Sequence, residues 1–282
     1  MKIEDFTNFK EHSRSKAKKL LIEFSKSLDF SDKRAQFVYD QTMLRVIGKD
    51  TKAYRKPINL DDIILTRVRK NCSSGALFEN IKDIWLPPES LTNLGRANIP
   101  NIPVFYCSDW PGTSIFEVKP NLEEWITTSN FNLKISQLEC IVLGADPNIL
   151  PGFNDLEPFL QGIHDYLREV FTEEINETNL NNYFKTAIIC HHFIKDSMGL
   201  MYPSFASNLN GWNFVFSEKF ANNHIIFSDS RTQRVVHYVD KMNFKIQCLF
   251  ESNKITEDND FIWNKISKCN GHFLTETIYN DD

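Results

Sequence analysis

The sequence has few cysteines and no arrangement of them that signals a disulfide framework. No CxxC pair occurs, and the six cysteines lie far apart, at Cys72, Cys107, Cys140, Cys190, Cys248 and Cys269. Such spacing favours thiols in a reducing compartment. With 282 residues, of which 41% are hydrophobic, the chain can bury a sizeable core without a disulfide or a metal. We therefore expect a cytoplasmic protein that needs no metal.

Long apolar runs are also absent. No stretch approaches the roughly 18 apolar residues of a membrane span. Residues 1–19 are rich in charge and contain no apolar run of the kind found in a secretion signal. We expect neither membrane insertion nor secretion.

The chain lacks an excess of positive charge and any internal repeat. Its net charge of −5 argues against a broad basic face that binds nucleic acid, because such binding neutralises many phosphates. The basic residues between Lys10 and Lys19 are interpreted as a solvated helix face. The absence of a repeat of about 20 to 50 residues excludes solenoids and arrays.

Periodicity predicts helices in the first part of the chain. Apolar residues form one stripe along residues 13–28, and Ser31 is a plausible N-cap for a second helix that ends near Gly48. Pro57 closes this section. The sequence therefore predicts a helical N-terminal extension, residues 1–56, followed by a catalytic domain, residues 57–282.

Short extended runs separated by turn residues dominate the second part. Strands are predicted at 63–68, 104–107, 138–143, 200–202, 212–216, 235–238 and 244–250. Helices are predicted at 156–173 and 180–195, and a short one begins at 113–118. Strands and helices do not alternate regularly, which predicts an α+β fold with a sheet core flanked by helices.

One segment, Gly95 to Glu117, groups residues suited to chemistry on a charged, sugar-containing substrate. Arg96 and Tyr106 are ten residues apart, and Glu117 follows eleven residues after Tyr106. Further along the chain, Ser204 follows a proline in the run Tyr-Pro-Ser-Phe. Each of these pieces is common alone, and their combination is specific.

This combination resembles the RES domain family over residues 63–230. The resemblance implies a mixed, largely antiparallel sheet similar to that of ADP-ribosyltransferases, and a protein that consumes NAD, often as the toxin of a toxin–antitoxin pair. Ala97 departs from the pattern, because many members have tryptophan after the arginine.

The implied reaction needs only one catalytic carboxylate. Nicotinamide leaves NAD as a neutral ring, so no general acid has to protonate it, whereas ordinary glycosidases use two carboxylates. Glu117 is the candidate that accepts a hydrogen bond from the ribose and stabilises the growing positive charge. Tyr106 is expected to stack on the nicotinamide.

The diphosphate of NAD needs cationic donors, for which arginine geometry is best suited. Arg96 fits that role. The resemblance implies a second arginine on an early strand, where Arg67 and Arg69 share one face and either can be the ligand; we favour Arg67. The resemblance also implies that Ser204, with Ser207 as a fallback, contacts the nicotinamide ribose, and that Asn213 matches a family asparagine and binds NAD.

Several alternatives stay open. Phosphorolysis with inorganic phosphate and hydrolysis with water use the same bond cleavage, as does transfer of ADP-ribose to a protein or a small molecule. Protein transferases commonly carry an acid two positions before the catalytic glutamate, where this chain has Ile115. Another class of function is an interaction module with an idle pocket, which the intact motif disfavours.

A metal-dependent hydrolase built on Cys190, His191 and His192 is a weaker alternative. Adjacent residues on a helix diverge by about 100°, so the two histidines cannot readily share a metal. His191 and His164 are interpreted as core histidines. If the chain is a toxin, the resemblance implies an antitoxin partner with a DNA-binding domain.

Overall fold

A computed structural model describes most of the chain. The described residues are 6, 8–47, 55–59, 63–73, 75–150, 152–175, 180–195, 197–238 and 244–266. Within them the fold is α+β, as predicted, with helices packed against one mixed sheet.

The helices fall close to the predicted places. Within the described residues they are α1 Arg14–Lys26, α2 Lys33–Ile47, α3 Pro111–Val118, α4 Pro158–Thr172, α5 Tyr183–Ile194 and α6 Glu218–His224. Ser31 does not cap α2, contrary to our prediction. The Asp32 side chain accepts a hydrogen bond of 2.9 Å from the Arg34 amide and fills that position, while Ser31 donates to Asp29. The predicted end at Gly48 lies outside the described residues.

The described strands form a single ten-stranded sheet. They are β1 Arg55–Ile58, β2 Leu65–Lys70, β3 Val104–Ser108, β4 Trp125–Leu133, β5 Leu138–Val142, β6 Gly199–Pro203, β7 Trp212–Ser217, β8 Ile225–Tyr238, β9 Phe244–Ser252 and β10 Asn264–Lys265. Their order is β1-β5-β6-β7-β3-β2-β4-β8-β9-β10. Among these pairs β5 and β6 are parallel and the rest antiparallel. The crossover between β5 and β6 carries α4 and α5, as a parallel connection requires.

The N-terminal part differs from the prediction at its end. The predicted helical extension, residues 1–56, includes the first two residues of a strand, because Arg55–Ile58 is an edge strand paired with β5. Pro57 is tolerated there because an edge strand has one side without ladder hydrogen bonds. The division at residues 56 and 57 stays a prediction. The helices α1 and α2 nevertheless share one apolar core with α4 and α5, where the hydroxyls of Tyr39 and Tyr166 lie 2.6 Å apart.

The strand β4 and most of β8 were not predicted. Their shared interior is polar: Thr127 bonds Thr232 at 2.9 Å, and Ser129 bonds Ser230 at 2.6 Å. A buried ladder of hydroxyls lacks the apolar alternation by which strands are recognised. The helix α6 and the two-residue β10 were missed as well.

The neighbouring strands β2 and β3 diverge in the middle of the sheet. They pair at one position, Thr66 with Ser108. The helix α3 follows β3 and begins with Pro111 at its first position, where a proline costs no hydrogen bond. Ile115 and Phe116 pack against Val68 of β2. The last turn of α3, with Glu117, therefore lies beside the gap between the two strands.

In the described part of the chain, no helix combines the length and the apolar character needed to span a bilayer.

Candidate active site

A cavity of about 510 Å³ opens where β2, β3 and α3 meet. Its size is typical of a small-molecule site. Of the predicted site residues, four line it: Arg67, Arg96, Tyr106 and Glu117. The other three, Arg69, Ser204 and Asn213, do not belong to its lining.

The Glu117 carboxylate is held through one of its two oxygens. Its Oε1 accepts a hydrogen bond of 2.6 Å from Ser204 Oγ and one of 2.7 Å from Asn213 Nδ2. No described residue donates a hydrogen bond to Oε2. Two fixed donors orient the carboxylate, and its second oxygen keeps its acceptor capacity for a ligand.

Ser204 belongs to the turn that follows β6, and it is fully buried. Its amide donates to the Gly211 carbonyl at 2.8 Å, and its Oγ accepts from the Ser207 amide at 3.2 Å. Because that Oγ is already committed to the Ser207 amide and to Glu117, Ser204 supports the carboxylate from behind the cavity wall. Ser207, the fallback, donates to the Ser204 carbonyl rather than to Glu117.

Asn213 is also fully buried and supports the same oxygen from β7. It pairs in register with Ser108 of β3, whose Oγ donates to Asn213 Oδ1 at 2.9 Å. This bond fixes which end of the amide faces Glu117, so that the nitrogen donates. The predicted contacts of Ser204 and Asn213 with a substrate stay predictions.

Arg67 bridges the gap between the diverging strands. Its Nη1 donates to the Tyr106 carbonyl at 2.5 Å, and its guanidinium lies over the Phe105 ring at 5.6 Å. The Nε of Arg67 is buried, and in the described part of the chain no group accepts its hydrogen bond and no carboxylate pairs with it. A partly buried cation without a counterion is costly.

Burial, and then the nearby charge of Arg69, lowers the pKa of Arg67 to about 9, so the group stays cationic at neutral pH. Arg69 takes a different position, because its Nη2 donates to the Trp85 carbonyl at 3.0 Å outside the cavity lining. Arg67 and Arg69 leave the same face of β2 but reach different surroundings.

Arg96 ties the turn at residues 95–98 to the end of α4. Its Nη1 donates to the Phe171 carbonyl at 2.9 Å, its Nη2 donates to the Glu173 carbonyl at 3.0 Å, and its guanidinium lies over the Tyr183 ring at 5.7 Å. A cation at a helix C-terminus satisfies carbonyls that have no partner within the helix. The other N–H groups of the guanidinium are left for a ligand.

Tyr106 lies on the wall of the cavity near Glu117. Burial above all, and then the charge of Glu117 and the neighbouring Tyr202, raises the pKa of Tyr106 well above its ordinary value. The phenol is therefore protonated at neutral pH and can donate a hydrogen bond. Its ring lies 6.3 Å from that of Tyr202.

Lys119, Tyr183 and Phe205 are among the residues of the cavity wall that sequence reasoning missed. Lys119 ends α3 in the left-handed conformation, with φ of 47°. Phe205 directly follows Ser204, and that adjacency was a signal available in the sequence.

The alternative metal site gains no support. Cys190 is fully buried, whereas His191 is half-buried. In the described residues no group of three or more histidine, cysteine, aspartate or glutamate side chains is placed to hold a metal ion.

The fold and the cavity define an α+β protein whose site places one fixed carboxylate and two arginines, Arg67 and Arg96, in the same cavity. The model of the RES domain family matches residues 65–236, which is more than half of the chain, so the chain belongs to this family. At the level of the family, this links the chain to NAD and to toxin–antitoxin systems. A search of the curated proteins found no match.

Proposed function

We propose that this chain cleaves the nicotinamide–ribose bond of NAD, as an NAD+ phosphorylase or NAD glycohydrolase that depletes NAD. One observation carries the proposal. The same cavity holds a carboxylate, Glu117, oriented by two hydrogen bonds, and an arginine, Arg67, that pairs with no carboxylate among the described residues. These are the groups that a cationic sugar and a diphosphate need.

Glu117 acts on the ribose. Its Oε2 accepts a hydrogen bond from a ribose hydroxyl, and its charge stabilises the positive charge that grows on the sugar. Because the carboxylate is already oriented by Ser204 and Asn213, little reorganisation is required as that charge develops.

Cleavage of the nicotinamide–ribose bond needs no general acid. The bond between ribose C1 and the nicotinamide nitrogen breaks, and its electron pair neutralises the pyridinium ring. An oxygen of inorganic phosphate or of water then bonds to C1 from solution. Phosphate yields ADP-ribose 1″-phosphate, and water yields ADP-ribose with release of a proton.

Cationic side chains bind the diphosphate of the dinucleotide. Arg67, which lines the cavity, and Arg96, with its remaining N–H groups, donate to the diphosphate. Lys119 adds a positive charge at the rim, and no described carboxylate forms an ion pair with it. Tyr106 packs beside the nicotinamide and donates its hydroxyl to the ribose.

Transfer of ADP-ribose to a protein is disfavoured by the position two residues before Glu117. Ile115 is 2% exposed and packs into an apolar cluster with Val68 and Phe116. It offers no group that can activate an acceptor.

We also propose that the protein works in the cytoplasm and that an antitoxin with a DNA-binding domain blocks its active-site cavity. The buried cysteines Cys107, Cys140 and Cys190 are free thiols, which fits a reducing compartment. The proposal of an antitoxin is based on the link of the family to toxin–antitoxin systems.

The test is incubation of the purified protein with NAD, with and without phosphate, followed by mass spectrometry of the products. We expect free nicotinamide, together with ADP-ribose 1″-phosphate or ADP-ribose. Glu117→Gln retains an oxygen that accepts from Ser204 and Asn213, so it should fold while losing roughly 10²–10³ in rate. Glu174→Gln changes the other carboxylate of the wall and is the matched control. Absence of turnover by folded protein would refute the proposal.

A further inference from the structure

Phe205 stands at the rim of the cavity with its ring partly open to solvent. It is 41% exposed, although large apolar side chains are usually buried, and it lines the cavity. Small-molecule cavities are lined mainly by apolar and aromatic side chains, which contact the bound ligand.

The loop that carries Phe205 is built to hold one shape. Within it, the Asn208 amide donates to the Phe205 carbonyl at 3.1 Å and the Leu209 amide donates to the Ser204 carbonyl at 2.8 Å. Leu209 has a φ of 67°, a conformation that a bulky side chain rarely adopts. Such strain persists where the surrounding contacts over-determine the backbone, and it is frequent at ligand sites.

The loop is also fixed against the catalytic helix. Gly211, at its end, lies so close to Thr113 of α3 that an added Cβ would be 1.9 Å from Thr113 Oγ1. At its start, Ser204 is bonded to Glu117. Phe205 is thus placed relative to the carboxylate before any ligand arrives, which lowers the entropic cost of stacking a ring on it.

We propose that Phe205 is the stacking platform for the adenine ring of the dinucleotide, an inference that rests on the proposed function. Glu117 marks the position of the nicotinamide ribose, and Tyr106, the more deeply buried ring, lies beside it. The adenine is separated from that ribose by the diphosphate, so it lies towards the rim. Phe205 presents an aromatic face there, and every base has a face that can stack on it.

The test compares two substrates that share the scissile bond. NAD contains adenine, whereas nicotinamide mononucleotide does not. For Phe205→Ala we expect the ratio of kcat/KM for NAD to that for nicotinamide mononucleotide to fall about tenfold. Phe205→Trp should restore the ratio, whereas Phe205→Leu, which keeps apolar volume without a flat face, should not.

Leu209→Ala is the matched control, because Leu209 is 42% exposed in the same loop but is not part of the cavity lining. Its ratio of kcat/KM for the two substrates should equal that of the unsubstituted protein. An equal loss with both substrates, or no change with either, would overturn the assignment of Phe205 to adenine.

A binding measurement separates this inference from the proposed reaction. ADP-ribose carries the adenine but has no nicotinamide to cleave, so its dissociation constant can be measured by calorimetry whether or not NAD is turned over. We expect Phe205→Ala to weaken ADP-ribose about tenfold and to leave ribose 5-phosphate unaffected. If the unsubstituted protein does not bind ADP-ribose, or if Phe205→Ala binds it equally well, the platform does not exist.

Discussion

The Oγ of Ser204 lies 2.6 Å from Oε1 of Glu117, although 87 residues separate the two in sequence. The contact joins the loop after β6 to the last turn of α3. Asn213 adds a second bond to the same oxygen from β7. The carboxylate is therefore oriented from two separate segments, the loop after β6 and the strand β7, and no described residue donates a hydrogen bond to its other oxygen.

Ser204→Ala should lower kcat more than it raises KM. The change removes a hydrogen bond to a charged group, which is worth about 1.5–3 kcal/mol, so kcat should fall roughly ten- to a hundredfold. Steady-state release of nicotinamide from NAD measures it. Ser207→Ala is the control, because that buried hydroxyl bonds the Ser204 carbonyl and does not reach Glu117. A rise in KM at constant kcat would instead mean that Ser204 contacts the substrate.

Replacing each strand arginine by lysine should decide between Arg67 and Arg69. Arg67→Lys replaces a planar fork of N–H donors on the cavity wall by a single ammonium group, and we expect KM for NAD to rise roughly tenfold or more. Arg69→Lys should change KM by less than about threefold, because Arg69 bonds the Trp85 carbonyl away from the cavity. The reverse order of effects would assign the diphosphate to Arg69.

Arg96→Lys should reduce both stability and activity. A lysine cannot reproduce the two-sided contact of the guanidinium with the Phe171 and Glu173 carbonyls, so the end of α4 should loosen. We expect the free energy of unfolding to fall by about 1–2 kcal/mol, as measured by urea denaturation. If stability is unchanged while KM for NAD rises, Arg96 serves the ligand alone.

The sequence allowed the cavity residues to be predicted better than their supports. Arg96, Tyr106 and Glu117 were recognisable because their chemical types and spacing form a pattern, whereas Arg67 was predicted from the family resemblance, with Arg69 as the alternative. The bonds of Ser204 and Asn213 to Glu117 depend on strands that meet only in the folded sheet, and no local signal reports them.

The prediction of the fold was limited for a related reason. Strands with an apolar face were found, whereas β4 and most of β8 were missed because they bury a ladder of threonine and serine hydroxyls. The contact of Arg96 with α4 was equally invisible, since it joins backbone carbonyls that carry no residue-specific signature.

His164 should make the protein less stable in mild acid. Burial above all lowers its pKa from 6.5 to about 4; Arg168 and Arg14 also lower it, whereas Asp165 and Asp146 oppose the shift. Between pH 6.5 and 4 the unfolded chain therefore binds a proton that the folded chain does not. The free energy of unfolding decreases as the pH is lowered through that window. The slope from one proton is about 1.4 kcal/mol per pH unit at most.

Urea denaturation at several pH values between 7 and 4 tests this contribution against His164→Gln, which cannot titrate. The variant should lose less stability than the unsubstituted protein as the pH falls. Equal pH dependence of the two proteins would show that His164 takes up its proton in the folded state as readily as in the unfolded one.

Gly211→Ala should displace the loop after β6 from α3. The new Cβ would meet Thr113 Oγ1 at 1.9 Å and Thr113 Cβ at 2.9 Å, so the loop or the helix has to move. Overpacking of this kind costs about 1–3 kcal/mol. Activity should fall too, because the loop carries Ser204 and the helix carries Glu117, and their hydrogen bond requires close approach.

Adding Thr113→Ala to the Gly211→Ala protein removes the nearest atom, so part of the lost melting temperature and kcat should return. Thr113→Ala alone controls for the loss of the hydroxyl. If Gly211→Ala retains the melting temperature and kcat, the contact between loop and helix does not set the position of the carboxylate.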